Sequence, residues 1–149
     1  VALSRLEQLY RQVILDHYQS PRNHGLTRAA EAHEIRMYNP SCGDELVIEL
    51  IINEDDVITS AHFDGVGCSI SQASASMMTE VVIGKSLQEA NELAHLFSQM
   101  ILGESVDTDR LKDAQLLSGV QKFPARIKCA TLAWKAIEEF EEEREASNR

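Results

Sequence analysis

Long apolar runs, basic clusters and closely spaced cysteine pairs are all missing from this sequence. The amino-terminal stretch VALSRLEQLYRQVILDHYQ is interrupted by charges, so it does not read as a secretory signal, and no segment approaches bilayer-spanning length. No membrane role is expected. Only 14 basic residues face 24 acidic ones, a net charge of −10. Nucleic-acid binders draw most of their affinity from phosphate contacts and show a basic stripe; none is visible, so no nucleic-acid partner is expected. Three cysteines, an odd number, argue against a disulfide framework and for a reducing, cytoplasmic setting. Seven glycines and three prolines leave no room for a low-complexity or collagen-like chain.

What remains is a composition able to bury a core: 149 residues, 44% hydrophobic and 26% charged. With no linker or internal repeat, residues 1–149 are expected to form a single domain. The acid gathers at the end, from Glu138 to Glu145, as on a solvated helix face.

Apolar spacing predicts a helix over residues 3–19 through Leu3, Leu6, Tyr10, Val13, Ile14 and His17, stopped by Pro21. A polar loop follows from Ser20 to Arg28, with His17 and His24 making local hydrogen bonds. Three alternating runs then read as strands. The first sets His33, Ile35 and Met37 against Glu34 and Arg36. The second sets Leu46, Ile48, Leu50 and Ile52 against Glu45 and Glu49, and the third Val57, Thr59, Ala61 and Phe63 against Ser60, His62 and Asp64. Asn53–Asp56 supplies the hairpin turn between the last two. Helices are predicted from Ile70 to Ile83 with Gly84 as the stop, from a Ser86/Glu89 capping box to Gly103, and from Pro124 onward. Asp107–Leu117 reads as short helical turns. The fold class is α+β: a three-stranded antiparallel sheet with helices packed on one face.

Chemistry concentrates where these elements meet loops. Cys42 and Asp44 lie in the turn Asn39-Pro-Ser-Cys-Gly-Asp44, Cys68 follows Gly65-Val-Gly67 and opens a helix, and Cys129 lies in the first turns of the last helix. A thiol at a helix amino terminus feels partial positive charge that favours the thiolate. Three thiolates and one carboxylate make a four-coordinate set suited to zinc, or to an iron–sulfur cluster with one labile oxygen ligand. The long spacings fit separate buried cysteines as well. Gly65-Val-Gly67 opens no phosphate loop, because the third glycine, the following acidic residue and a Gly-Lys-Ser/Thr are absent. No histidine is singled out as the base of a cysteine hydrolase.

Asn39-Pro-Ser-Cys-Gly-Asp44, the run from Gly65 to Glu80, Lys128-Cys-Ala-Thr-Leu-Ala-Trp134 and Asp16-His-Tyr-Gln-Ser-Pro-Arg-Asn23 together resemble the IscU/NifU-type family of iron–sulfur assembly proteins. The resemblance runs almost end to end. It implies that Cys42, Asp44, Cys68 and Cys129 are metal ligands, that sulfur comes from a cysteine desulfurase, and that downstream assembly or acceptor proteins receive it. Lys128 stands where the scaffold branch carries histidine, Lys122-Phe-Pro-Ala-Arg126 replaces its Leu-Pro-Pro-Val-Lys segment, and the stretch from Leu93 to Gln121 is longer. These departures resemble the SufU branch. They imply a zinc-binding sulfurtransferase that takes persulfide sulfur from a SufS-like desulfurase. Cys42 is the expected acceptor because it lies in a glycine-flanked loop rather than inside a helix, with Arg126 and Lys128 expected to hold the anion. The alternative implied by the family is a non-enzymatic scaffold on which [2Fe–2S] or [4Fe–4S] clusters are built and passed to apo-proteins. A closed structural zinc site is disfavoured by the aspartate.

Overall fold

A computed structural model describes residues 5–147. The order of elements is α1 (Arg5–Gln19), β1 (His33–Asn39), β2 (Asp44–Ile52), β3 (Ile58–Val66), α2 (Ser69–Val82), α3 (Leu87–Ile101), a 3-10 segment (Asp109–Lys122) and α4 (Pro124–Ser147). Leu3 and the Leu6 side chain lie outside the described residues. Among the described residues no helix is long and apolar enough to cross a membrane.

The strands form an antiparallel meander in the order β1-β2-β3, with Ile35 opposite Ile48 and Ile48 opposite Phe63. Alternation sends Ile35, Met37, Leu46, Ile48, Leu50, Ala61 and Phe63 to one face, where all are buried. Helix α2 packs on β3, and α4 packs on β1 and β2; α1, α3 and the 3-10 segment lie against those two helices. The expected sheet with helices on one face is therefore what forms. Small residues Ala73, Ser74, Ala75 and Ser76 are buried along α2, letting α1 and α4 approach it closely. Trp134 of α4 stacks on Phe97 of α3 with centroids 4.2 Å apart, and its indole N–H donates to Ser74 Oγ at 2.9 Å. Residue 127, on the first turn of α4, is only half-buried.

Helix boundaries follow local chemistry. Ser86 caps α3 by accepting the Glu89 N–H at 3.1 Å. The chain leaves α2 through Ile83 and Gly84, whose φ of +87° suits the left-handed region. The 3-10 segment is longer than the turns expected over Asp107–Leu117. It is broken at Lys112, held at φ 52° and ψ −133°, a strained conformation for a non-glycine residue.

In the sheet, three expectations change. In β3 the apolar phase slips: Ile58 is buried while Thr59 is exposed, because the ladder jumps from Ile51–Ser60 to Ile52–Ile58. Thr59 is the extra residue of a β-bulge, and its hydroxyl donates to the Ile51 carbonyl. Residue 33, grouped with Ile35 and Met37, is exposed at the strand's start. Glu49, assigned to the wetter face, is fully buried.

The cover over Glu49 is the segment after α1. Asn23 and Gly25 bond Phe63 on the free edge of β3. Thr27 then donates its hydroxyl and N–H to Glu49 Oε1 at 2.6 and 3.2 Å, and Arg28 its N–H to Oε2 at 2.9 Å. Burial works to raise the Glu49 carboxyl, but these bonds and nearby His62 outweigh it and hold it below its ordinary value. Such a group stabilises the fold above the unfolded value, near 4.5, and loses that contribution as pH falls through the folded value. Glu49→Gln should therefore lower stability by about 1–3 kcal/mol at pH 7. The gap to wild type should narrow as pH falls from about 5 to 3, as read by urea unfolding across that range.

Candidate metal centre

The β1–β2 hairpin is closed by the register pair Asn39–Asp44, and its turn carries Cys42. The Cys42 N–H donates to the Asn39 carbonyl at 3.3 Å, and Gly43 takes φ +70°, a conformation that presents the turn tip outward. Cys42 is exposed there.

Asp44 is buried at the floor of the same turn. Its Oδ1 accepts the Cys68 N–H at 3.0 Å and the Ser71 hydroxyl at 3.1 Å; its Oδ2 accepts Asn39 Nδ2 at 3.2 Å. Cys68 is the N-cap of α2 and makes no side-chain cap bond, so the Asp44 carboxylate takes that place at the positive end of the helix. Gly67 makes this possible: a Cβ there would stand 2.3 Å from Ser71 Oγ and 2.7 Å from Asp44 Oδ1.

Cys129 projects from α4 into the same space and is buried. Its sulfur lies 3.2 Å from the Cys42 sulfur and 3.8 Å from Asn39 Nδ2. The donor atoms of Cys42, Asp44 and Cys129 all lie within 4.8 Å of one another. The Cys68 sulfur falls outside that tight group and sits 3.8 Å from Ser71 Oγ, yet it is close enough to Cys129 to act on its ionisation. All four residues singled out from the sequence thus meet at one end of the molecule, three in a close group and Cys68 beside them.

Helix position does not depress the Cys129 thiol as expected. Burial pushes it well up, and Cys42, Asp44 and Cys68 push it further. A cluster in which every neighbour is a potential anion is one that a cation stabilises. The donor set, three sulfurs and one carboxylate already oriented by Asn39 and Ser71, fits a thiophilic or borderline cation. Arg126, fully exposed on α4, lies beside it: the sulfurs of Cys129, then Cys68, hold its guanidinium above the ordinary value. Lys128 is exposed one residue before Cys129.

The sequence marks Asn39 only as the start of the turn and gives Ser71 no role of its own at the site. Asn39 continues the buried phase of β1 after Ile35 and Met37, where a polar side chain is a signal of its own. Ser71 stands three residues after Cys68 on the first turn of α2.

Fold and site together define a class: an α+β domain that gathers cysteines and a buried carboxylate at the meeting point of a hairpin turn and two helices. The sequence profile of the NifU-like N-terminal domain matches residues 9–140, and the chain belongs to that family. It is 45% identical to the zinc-dependent sulfurtransferase SufU of Bacillus subtilis (strain 168), over 97% of each chain. It is 48% identical to the iron–sulfur cluster assembly scaffold protein IscU of Streptococcus pyogenes serotype M1, over 93% of this chain and 86% of that one. A crystal structure described as a candidate iron–sulfur cluster assembly scaffold for the SUF system, from thermophilic Fervidobacterium islandicum AW-1, superposes with TM-score 0.78 at 35% identity, covering 89% of this chain and 96% of that one.

Because Asp44 is buried against the Gly67 backbone, Gly67→Ala should cost about 1–3 kcal/mol in unfolding free energy. The same variant should bind zinc more weakly in competition with a chelator, as the carboxylate is displaced.

Proposed function

We propose that this chain is a zinc-binding sulfur acceptor for iron–sulfur cluster assembly, working with a cysteine desulfurase in a reducing cytoplasm. Residues 1–149 serve as one domain, and Cys42, Asp44, Cys68 and Cys129 hold the ion. The observation that carries the reading is the asymmetry of the cluster: Cys42 is exposed on a glycine-containing turn, while Cys129 and Asp44 are buried. Only an exposed sulfur can meet a partner's persulfide without opening the core.

Bound zinc would supply one thing, the thiolate state of ligand cysteines at neutral pH. The remaining chemistry belongs to the chain. The Cys42 thiolate attacks the terminal sulfur of the desulfurase persulfide; the new S–S bond forms as the old one breaks, and the desulfurase cysteine leaves as a thiolate. Cys42 then carries the persulfide. Arg126, whose charge already faces the sulfurs, holds the anion during transfer, with Lys128 adding positive potential. Asn39 and Ser71 keep Asp44 oriented while Cys42 is engaged elsewhere. Downstream assembly or acceptor proteins then take the sulfur.

The identity to a cluster scaffold supports a second reading, in which an iron–sulfur cluster is cargo assembled on the same four side chains. Alanine production by the cognate desulfurase under reductant separates the two. Zinc-loaded protein should accelerate turnover while zinc-stripped protein and Cys42→Ser do not. If neither form changes the rate, and anaerobic reconstitution instead loads iron and sulfide, the scaffold reading takes over. Independently of activity, Asp44→Ala should weaken zinc binding by at least about tenfold in chelator competition; an unchanged affinity would remove Asp44 from the ligand set.

A further inference from the structure

A second group of donor atoms lies at the far end of α2. His17 of α1 is fully buried, although it was expected to make only local bonds. Its Nδ1 lies 2.8 Å from Ser76 Oγ on α2, and that oxygen also accepts the Arg22 N–H at 2.8 Å. Its Nε2 points outward, 3.1 Å from Asp113 Oδ2 and 3.8 Å from Glu80 Oε1. One ligand atom from each of these three residues falls within 4.8 Å of the others. Cys68 and Glu80 stand near opposite ends of α2, about 18 Å apart at the rise of an α-helix, so this group is separate from the thiol cluster.

We propose that His17, Glu80 and Asp113 form a second metal site, for a divalent cation of the zinc class. In one tautomer Nε2–H donates to Asp113; in the other Nδ1–H donates to Ser76 Oγ, and the Nε2 lone pair then faces two carboxylates, an arrangement that a cation at their centre completes. One imidazole nitrogen and two carboxylate oxygens suit zinc, nickel, cobalt or ferrous ions better than calcium or magnesium, and the Ser76 contact fixes the ring as outer partners of metal-bound histidines do. The carboxylates are 42% and 54% exposed, so the ion and the waters completing its shell reach the site from solvent. Among the described residues no lysine or arginine nitrogen pairs with either carboxylate. Arg22 is engaged by Asp16 at 2.7 Å, and Lys112 Nζ donates to the Glu80 carbonyl at 3.2 Å, although the charge of Arg22 is felt by both acids. The three ligands come from α1, α2 and the 3-10 segment, so an ion there ties the first helix and the segment broken at Lys112 to the central helix.

The test uses tag-free, full-length protein with the thiol cluster already loaded with zinc and excess metal removed. Calorimetric titration with Ni2+ should show uptake of one further ion and a rise in Tm. Co2+ at the new site should lack the intense near-ultraviolet charge-transfer absorption of thiolate coordination, so exchange at the cysteines is told apart. Glu80→Gln and Asp113→Asn, both at accessible side chains, should each weaken the second uptake at least about tenfold and abolish the Tm rise. His17→Gln should do the same if it folds. No further uptake, or an uptake that neither carboxylate variant changes, would overturn the proposal and leave His17 as a hydrogen-bonded pin between helices. Either result stands apart from sulfur acceptance at Cys42, which the desulfurase assay reads.

Discussion

The buried Asp44 carboxylate is the constraint on which the thiol-bearing end of the molecule depends. Taking a carboxylate out of water costs several kcal/mol unless its oxygens are fully engaged. Here one hydrogen bond comes from the neighbouring strand, through Asn39, and two from the start of α2, through the Cys68 N–H and the Ser71 hydroxyl. Those bonds set the distance between the hairpin turn and the helix. Asn39 also reaches the Cys129 sulfur, so α4 is located relative to the same carboxylate. Gly67 is small because the space its side chain would occupy is already taken by Asp44 and Ser71.

That arrangement divides labour among the cysteines in the proposed reaction. Cys129 is buried beside Cys42 and Asp44, a position suited to holding an ion in that reaction but not to meeting a partner. Cys42 hangs from the turn above it, with its sulfur close to Cys129 and open to solvent. A site with one accessible sulfur on a turn and the other donors on a strand and helices can give up that sulfur to a reaction without losing its frame. Arg126, on the first turn of α4, faces the same sulfurs from outside.

The same rule, a buried polar group answered by donors from a distant element, organises the segment after α1. His17 and the Arg22 N–H meet at Ser76, Asn23 reaches Thr79, and Thr27 and Arg28 reach Glu49. Residues 22–28 are thereby held between the central helix and the back of the sheet. None of this was legible from alternation. Period-two reading placed Glu49 in water because its neighbours Ile48 and Leu50 face the core, and it cannot see a cover contributed from more than twenty positions earlier. It also assigned Thr59 to the buried phase, since a bulge adds a residue without altering composition.

The elements and their punctuation were legible in the sequence: the Ser86 cap, the Gly84 stop, the Pro124 start, the Asn53 turn and the alternating runs of the three strands. These are local properties of φ/ψ preference and side-chain spacing, and they survive into the structure with boundaries nearly unchanged. It also supplied the four residues of the thiol cluster, through blocks whose order resembles one family. Tertiary structure alone decided that Cys42 is exposed while Cys129 is buried, that Cys68 stands beside the close group, and that Asn39 and Ser71 orient the carboxylate. It alone brought His17, Glu80 and Asp113 together. The physical reason is common to all of these: burial and ionisation depend on which distant groups displace water around a side chain, and no window of neighbouring residues contains them.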